Sequence, residues 1–138
     1  MRLHSVTGRL MSRNVSKYLI DWDKKSRSKI QFATKQFLKE YWKNHIVYEE
    51  FPVYGTRLKV DILNATKKIA VEVNGKQHST FNKFFHGGSR QKFLQSIKRD
   101  CKKLDWLESN DFEVIEIEQD EVPQLSYQLI EAKCGIKI

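Results

Sequence analysis

Apolar residues recur at three- and four-residue steps from Ser28 to about Lys43, where Ile30, Ala33, Phe37 and Tyr41 form a stripe widened by Leu38 and Trp42. That period belongs to an amphipathic helix, and Ser26 or Ser28 is placed to cap its start. Ile46 to Val53 changes to an extended pattern, closed by Pro52 and the Tyr54-Gly55-Thr56 turn. Arg57 to Leu63 and Ile69 to Asn74 are two further strands, rich in apolar and β-branched residues, around the hairpin turn Asn64-Ala65-Thr66-Lys67-Lys68. Gly75 stops the second. A polar loop with Gly87-Gly88 at its far end leads into a long amphipathic helix over about 89–109. Leu94, Ile97, Cys101, Leu104 and Leu107 make its apolar stripe; Arg90, Lys92, Lys98, Arg99, Lys102 and Lys103 make its basic face. Asn110 is expected to end it in a left-handed conformation. Glu113 to Glu118 alternates as a strand with Ile115 and Ile117 inward, and Pro123 suits the first turn of a final helix reaching about Lys133.

The order α-β-β-β-α-β-α predicts an α/β domain over residues 26–138, a small mixed sheet flanked by helices. Residues 1–25 read as a basic N-terminal arm. It is expected to dock the patch Tyr18-Leu19-Ile20 with Trp22 and to leave Arg2, Arg9, Arg13, Lys17, Lys24 and Lys25 in solvent. A chain of 138 residues suits one core and leaves little room for a second.

Charge narrows the class of partner. Lys and Arg number 25 against 17 Asp and Glu, a formal net charge of +8, and such an excess attracts polyanions, nucleic acid foremost. Cys101 and Cys134 lie far apart, lack metal-site spacing and read as reduced thiols. No apolar run reaches membrane-spanning length and Met1 to Ser5 holds no signal-peptide core, so the expectation is a soluble cytoplasmic protein with no membrane partner.

The hairpin carries the chemistry. Strand side chains alternate faces, so pairing Asn64 with Ile69 sets Asp61 opposite Glu72, with Asn74 on the same side. The same register turns Val60, Ile62, Val71 and Val73 toward the core. The shifted register would drive Glu72 into the apolar side, a costly burial. Two facing carboxylates repel, and a divalent cation relieves that repulsion; Mg²⁺ commonly takes one or two carboxylates and completes its shell with water and phosphate. Without a cation, the same two acids would be ordinary residues of a solvated sheet face.

Asp61 followed by Glu72-Val73-Asn74-Gly75-Lys76-Gln77-His78 resembles the active-site hairpin of PD-(D/E)xK nucleases, the restriction-endonuclease-like superfamily. It is most similar to the short-patch-repair-like branch, whose hairpin ends in Glu-x-(Asp, Asn or Gln)-Gly-x-Gln-His. The similarity runs over about residues 28–118, and the segment from Ser28-Lys29-Ile30-Gln31-Phe32 through Glu49-Glu50-Phe51-Pro52-Val53 also resembles small phage-encoded endonucleases. The resemblance implies a restriction-endonuclease-like core and a Mg²⁺-dependent DNA endonuclease, with Mn²⁺ able to substitute. It implies Asp61, Glu72 and the backbone carbonyl of Val73 as metal ligands, and products with 5′-phosphate and 3′-hydroxyl ends. It departs at one place: the signature lysine two residues after the glutamate is here Asn74. Asn74, Gln77 and His78 are then the residues expected to position water or phosphate. Lys76, Arg90, Arg99, Lys102 and Lys103 are expected to hold the DNA backbone.

Gln31, Glu49 or Glu50, His86 and Asp100 are weaker candidates for the site; for Asp100 and Lys103 a plain helix-surface ion pair competes. One active site per chain suits a nicking monomer, and a double-strand cut needs two copies. In a phage-encoded protein the setting is the bacterial host's cytoplasm. Two rivals stand beside the nuclease: a non-catalytic nucleic-acid-binding protein with a degenerate nuclease fold, which Asn74 favours, and a structural protein that binds an acidic partner.

Overall fold

The computed structural model describes residues 1–75 and 101–138. Their architecture is mixed α/β. Strands β1 (Arg2–His4) and β2 (Leu10–Ser12) form a two-stranded antiparallel sheet. Helix α1 (Lys29–Trp42) follows, then β3 (Val47–Pro52), β4 (Lys59–Asn64) and β5 (Ile69–Asn74). Residues 101–109 are helical and are called α2; β6 (Glu113–Glu118), a 3-10 segment (Gln119–Gln124) and α3 (Tyr127–Cys134) complete the order. The main sheet runs β3-β4-β5-β6, antiparallel except for the parallel β5–β6 pair, so it is a small mixed sheet.

Local chemistry explains most of the boundaries. The Ser28 side chain accepts the N–H of Gln31 at the start of α1, and Ser126 accepts that of Leu129 at the start of α3. Gly135, at φ 70°, ends α3 in the left-handed conformation. Pro123 lies in the 3-10 segment ahead of α3, not in the helix's first turn, because Ser126 supplies the cap three residues later. The left-handed residue after α2 is Asp111 (φ 66°), not Asn110. Asn110 is buried and occupied: its amide donates to the carbonyls of His4 and Trp106, and its Oδ1 accepts the N–H of His4.

Both faces of the main sheet are covered. On one side Leu38 and Trp42 of α1 and Ile130 of α3 pack against Val47, Ile62, Ile69, Val71, Ile115 and Ile117. On the other, Trp106 and Leu107 of α2 join Leu3, Val15, Tyr48, Phe51, Tyr54, Val60 and Leu63. The N-terminal segment is therefore part of the core through Leu3 and Val15; of the expected docking patch, Tyr18, Ile20 and Trp22 pack against the core, while Leu19 is 54% exposed. Trp106 Nε1 donates to the His4 carbonyl at 2.6 Å and ties α2 to β1.

Helix α1 is rotated relative to its apolar stripe. Its buried residues are Gln31, Thr34, Lys35, Leu38 and Trp42, while Ala33 and Tyr41 are exposed. A buried polar network sets this rotation. Lys35, 0% exposed, pairs with Glu49 on β3 at 3.0 Å, and Gln31 Nε2 donates to Glu49 at 3.0 Å and to Glu50 at 3.1 Å. On α2, Cys101 is exposed, and the buried side holds Trp106 and Leu107.

Candidate metal and phosphate site

The β4–β5 ladder pairs Asn64 with Ile69, Leu63 with Ala70 and Ile62 with Val71. Its next rung is Asp61 opposite Glu72, and there the strands part. Two side chains replace the missing ladder bonds: the Asp61 N–H donates to Glu72 Oε2 at 3.2 Å, and the Val73 N–H donates to Asp61 Oδ2 at 2.8 Å. Beyond that rung β4 stays with β3 and bends. Glu50 lies between the paired rungs Glu49–Ile62 and Phe51–Val60, so it faces Asp61, and it sits at φ 53°. A left-handed, non-glycine residue inside a strand breaks its alternation. Phe51 and Val60 consequently join the same cluster as Tyr48 and Leu63. Val60 thus leaves the side of Ile62, Val71 and Val73 on which parity alone would put it.

The bend opens a cleft of about 690 Å³. Glu50, Asp61 and Glu72, with Glu116 paired to Glu72 from β6, line it from neighbouring strands. Val73 and Asn74 belong to the same wall. Asn74 Nδ2 donates to Glu118 at 3.3 Å. Leu104 and Lys103 enter from α2, and Lys103 Nζ stands 2.7 Å from Glu72 Oε1 with both side chains largely covered. Lys103 therefore points into the cleft, away from the basic surface to which its helical position assigned it; Lys102 is exposed. The signal was present in the sequence, since Lys103 precedes Trp106 and Leu107 by three and four residues and shares their face.

Glu72 is 7% exposed. Burial, and then the Asp61 carboxylate beside it, push its carboxyl up to about 8 against the pull of Lys103. Two acids beside one lysine crowd the floor of the cleft, where a divalent cation would take the place of the proton that Glu72 holds. Among the described residues no three His, Cys, Asp or Glu side chains gather closely enough to hold a metal alone. The donor set fits a hard cation that takes two carboxylates, a backbone oxygen and otherwise water or substrate oxygens. Roles expected of Lys76, Gln77, His78, His86, Arg90, Arg99 and Asp100 fall outside the described residues. Arg27, Arg57 and Lys59 also line the cleft, and they were not among the expected site residues.

Comparison with known proteins adds a narrow viral similarity. A stretch of 52 residues is 38% identical to "Uncharacterized protein 033L" of Invertebrate iridescent virus 3, covering 38% of this chain and 27% of that protein. A 52-residue stretch is also 36% identical to "Uncharacterized protein 094L" of Frog virus 3 (isolate Goorha), covering 34% of that protein. The chain thus matches about a third or less of the length of these relatives. No family model and no solved structure matches the chain. No helix among the described residues is long and apolar enough to cross a membrane.

Proposed function

We propose that the protein is a Mg²⁺-dependent DNA endonuclease with a restriction-endonuclease-like core, carried by a virus, phage or mobile element. The observation that carries this reading is the juxtaposition of Asp61 and Glu72 with Lys103 in one cleft, at the parting of two strands. A mixed sheet with an antiparallel β3-β4-β5 meander, a parallel β6 and helices on both faces suits the core that the hairpin motif implies.

Asp61, Glu72 and the Val73 carbonyl would hold the cation. When bound, it neutralises the two acids, activates water for attack on phosphorus and offsets charge on the phosphate. The chain's own residues do the rest. Reciprocal backbone bonds fix both carboxylates before substrate arrives. Lys103 supplies the positive charge that Asn74 lacks, from the helix instead of the strand. The attacking water forms a new P–O bond while the bond to the 3′-oxygen breaks, leaving 5′-phosphate and 3′-hydroxyl ends. The Asn74 amide, tied to Glu118, orients groups at the cleft wall but supplies no cation.

Incubation of supercoiled plasmid with the protein and Mg²⁺, beside an EDTA control, tests the reading. Relaxation that needs the cation and is lost in Asp61→Asn supports it. No relaxation with Mg²⁺ or Mn²⁺ favours the second reading, a binding-only protein, for which Asn74 in place of the signature lysine is the supporting observation.

A further inference from the structure

A loop beside the cleft is tethered through two of its carbonyls and two of its side chains, while Lys24, Lys25 and Arg27 make no ion pair among the described residues. Gln36 Nε2 donates to the Trp22 carbonyl, and Lys35 Nζ donates to the Lys24 carbonyl at 2.6 Å. Ser26 Oγ donates to Glu49 at 2.6 Å, and Lys39 pairs with Asp23 at 2.8 Å. Between these tethers Lys24, Lys25 and Arg27 are exposed, and among the described residues none of them makes an ion pair. With Lys17 they line a second groove that shares Arg27 and Glu50 with the acidic cleft. Exposed Arg57 and Lys59 also line the cleft.

Resting on the nuclease reading, we infer that the backbone of a DNA strand reaches the acidic cleft along the 24–27 loop, its phosphates held by Lys24, Lys25 and Arg27. Phosphates repel the carboxylates of Glu50 and Asp61, so a strand crossing the cleft needs exposed cations beside them, and Arg27, Arg57 and Lys59 supply these. Successive cations along a groove suit a chain of phosphates better than one small anion. The acids of the same groove do not cancel them: Glu49 is paired with buried Lys35, and Asp21 and Glu50 are outnumbered by Lys17, Lys24, Lys25 and Arg27. A loop already fixed loses little freedom when it binds. Lys24, Lys25 and Arg27 are not among the residues to which sequence alone assigns the DNA backbone.

The test is the affinity for a fluorescent 20-base-pair duplex, measured in EDTA over a salt series. A triple variant, Lys24→Gln with Lys25→Gln and Arg27→Gln, is compared with a control of equal charge loss: Lys43→Gln, Lys67→Gln and Lys137→Gln, none of which lines either groove. The loop triple is expected to weaken binding about tenfold or more at low salt and to lower the slope of log K against log salt by about 2–3, near 0.9 per lost phosphate contact. The control should stay within about threefold of the parent. Equal losses in the two triples, no loss in either, or a parent that does not bind the duplex would overturn the inference. Because the assay contains no divalent cation, a protein that binds through the loop yet never nicks plasmid defeats the nuclease reading and leaves this track standing.

Discussion

Asp61 and Glu72 tie a parted hairpin together: Glu72 Oε2 accepts the Asp61 N–H and Asp61 Oδ2 accepts the Val73 N–H, two donors that the strand ladder no longer uses. These bonds give the two acids a structural duty as well as a chemical one. Amide isosteres keep an acceptor oxygen for the N–H, so Asp61→Asn and Glu72→Gln should fold. Both should lose nicking by about a hundredfold or more, the scale for removing one preorganised charge-stabilising group. DNA affinity should hold or rise slightly as a negative charge leaves the cleft. Circular dichroism, plasmid nicking and the duplex binding assay check the three parts. Parent-level nicking by the double variant would defeat the assignment.

Glu72 also makes stability depend on pH. Its carboxyl is raised from 4.5 to about 8, by burial first and by Asp61 second. Between those values the folded protein keeps a proton that the unfolded chain has released. This group therefore makes the cation-free protein less stable as pH rises through that window, by up to roughly 1.4 kcal/mol per pH unit. Thermal denaturation in EDTA from pH 5.5 to 8 should show a downward trend for the parent that Glu72→Gln lacks. Mg²⁺ should flatten the parent's trend, since a bound cation favours the ionised carboxylate. Parallel curves for parent and variant would contradict it.

Lys103 and Asn74 share one duty in the proposed site. Lys103→Ala should lower nicking about a hundredfold. Asn74→Lys placed in that background should recover a large part of the loss, because both positions line the same cleft. Asn74→Ala alone should be mild. A double variant no better than Lys103→Ala would mean that Lys103 acts only through the fold, a point that its melting temperature would corroborate.

Lys35 is a stability determinant. It is fully buried against Glu49, and Lys35→Ala leaves that carboxylate without its counter-charge, held only by Ser26 and Gln31. The expected cost is about 3 kcal/mol in urea denaturation. Lys35→Met combined with Glu49→Leu should recover much of it, since a well-packed apolar pair can replace a buried ion pair. A single variant as stable as the parent would show the pair to be dispensable.

Hairpin parity made the heart of the site readable. The alternation of Val60 to Leu63 and Ile69 to Asn74 admits one sensible register, and the structure pairs Asn64 with Ile69 in it. Other features left weaker marks. Glu50 takes a left-handed conformation without glycine or asparagine to announce it, so the bend that opens the cleft was hidden. Lys35 was one more polar helix position until its partner, Glu49, was brought over from β3. Strands β1 and β2 have three residues each, too few for a periodic pattern to emerge. The rotation of α1 follows from these polar partners, because the packing of Gln31 and Lys35 outweighed the apolar stripe.

The bond from Trp106 to the His4 carbonyl spans 102 residues, and those from Asn110 to His4 span 106. Contacts of such sequence separation close large loops and form late in folding. On a ribosome β1 is made about 102 residues before the tryptophan of its partner helix exists. The lysine delivered by that helix is accordingly among the last parts to be set, so a nascent chain carries both acids before it has the cation that completes the cleft.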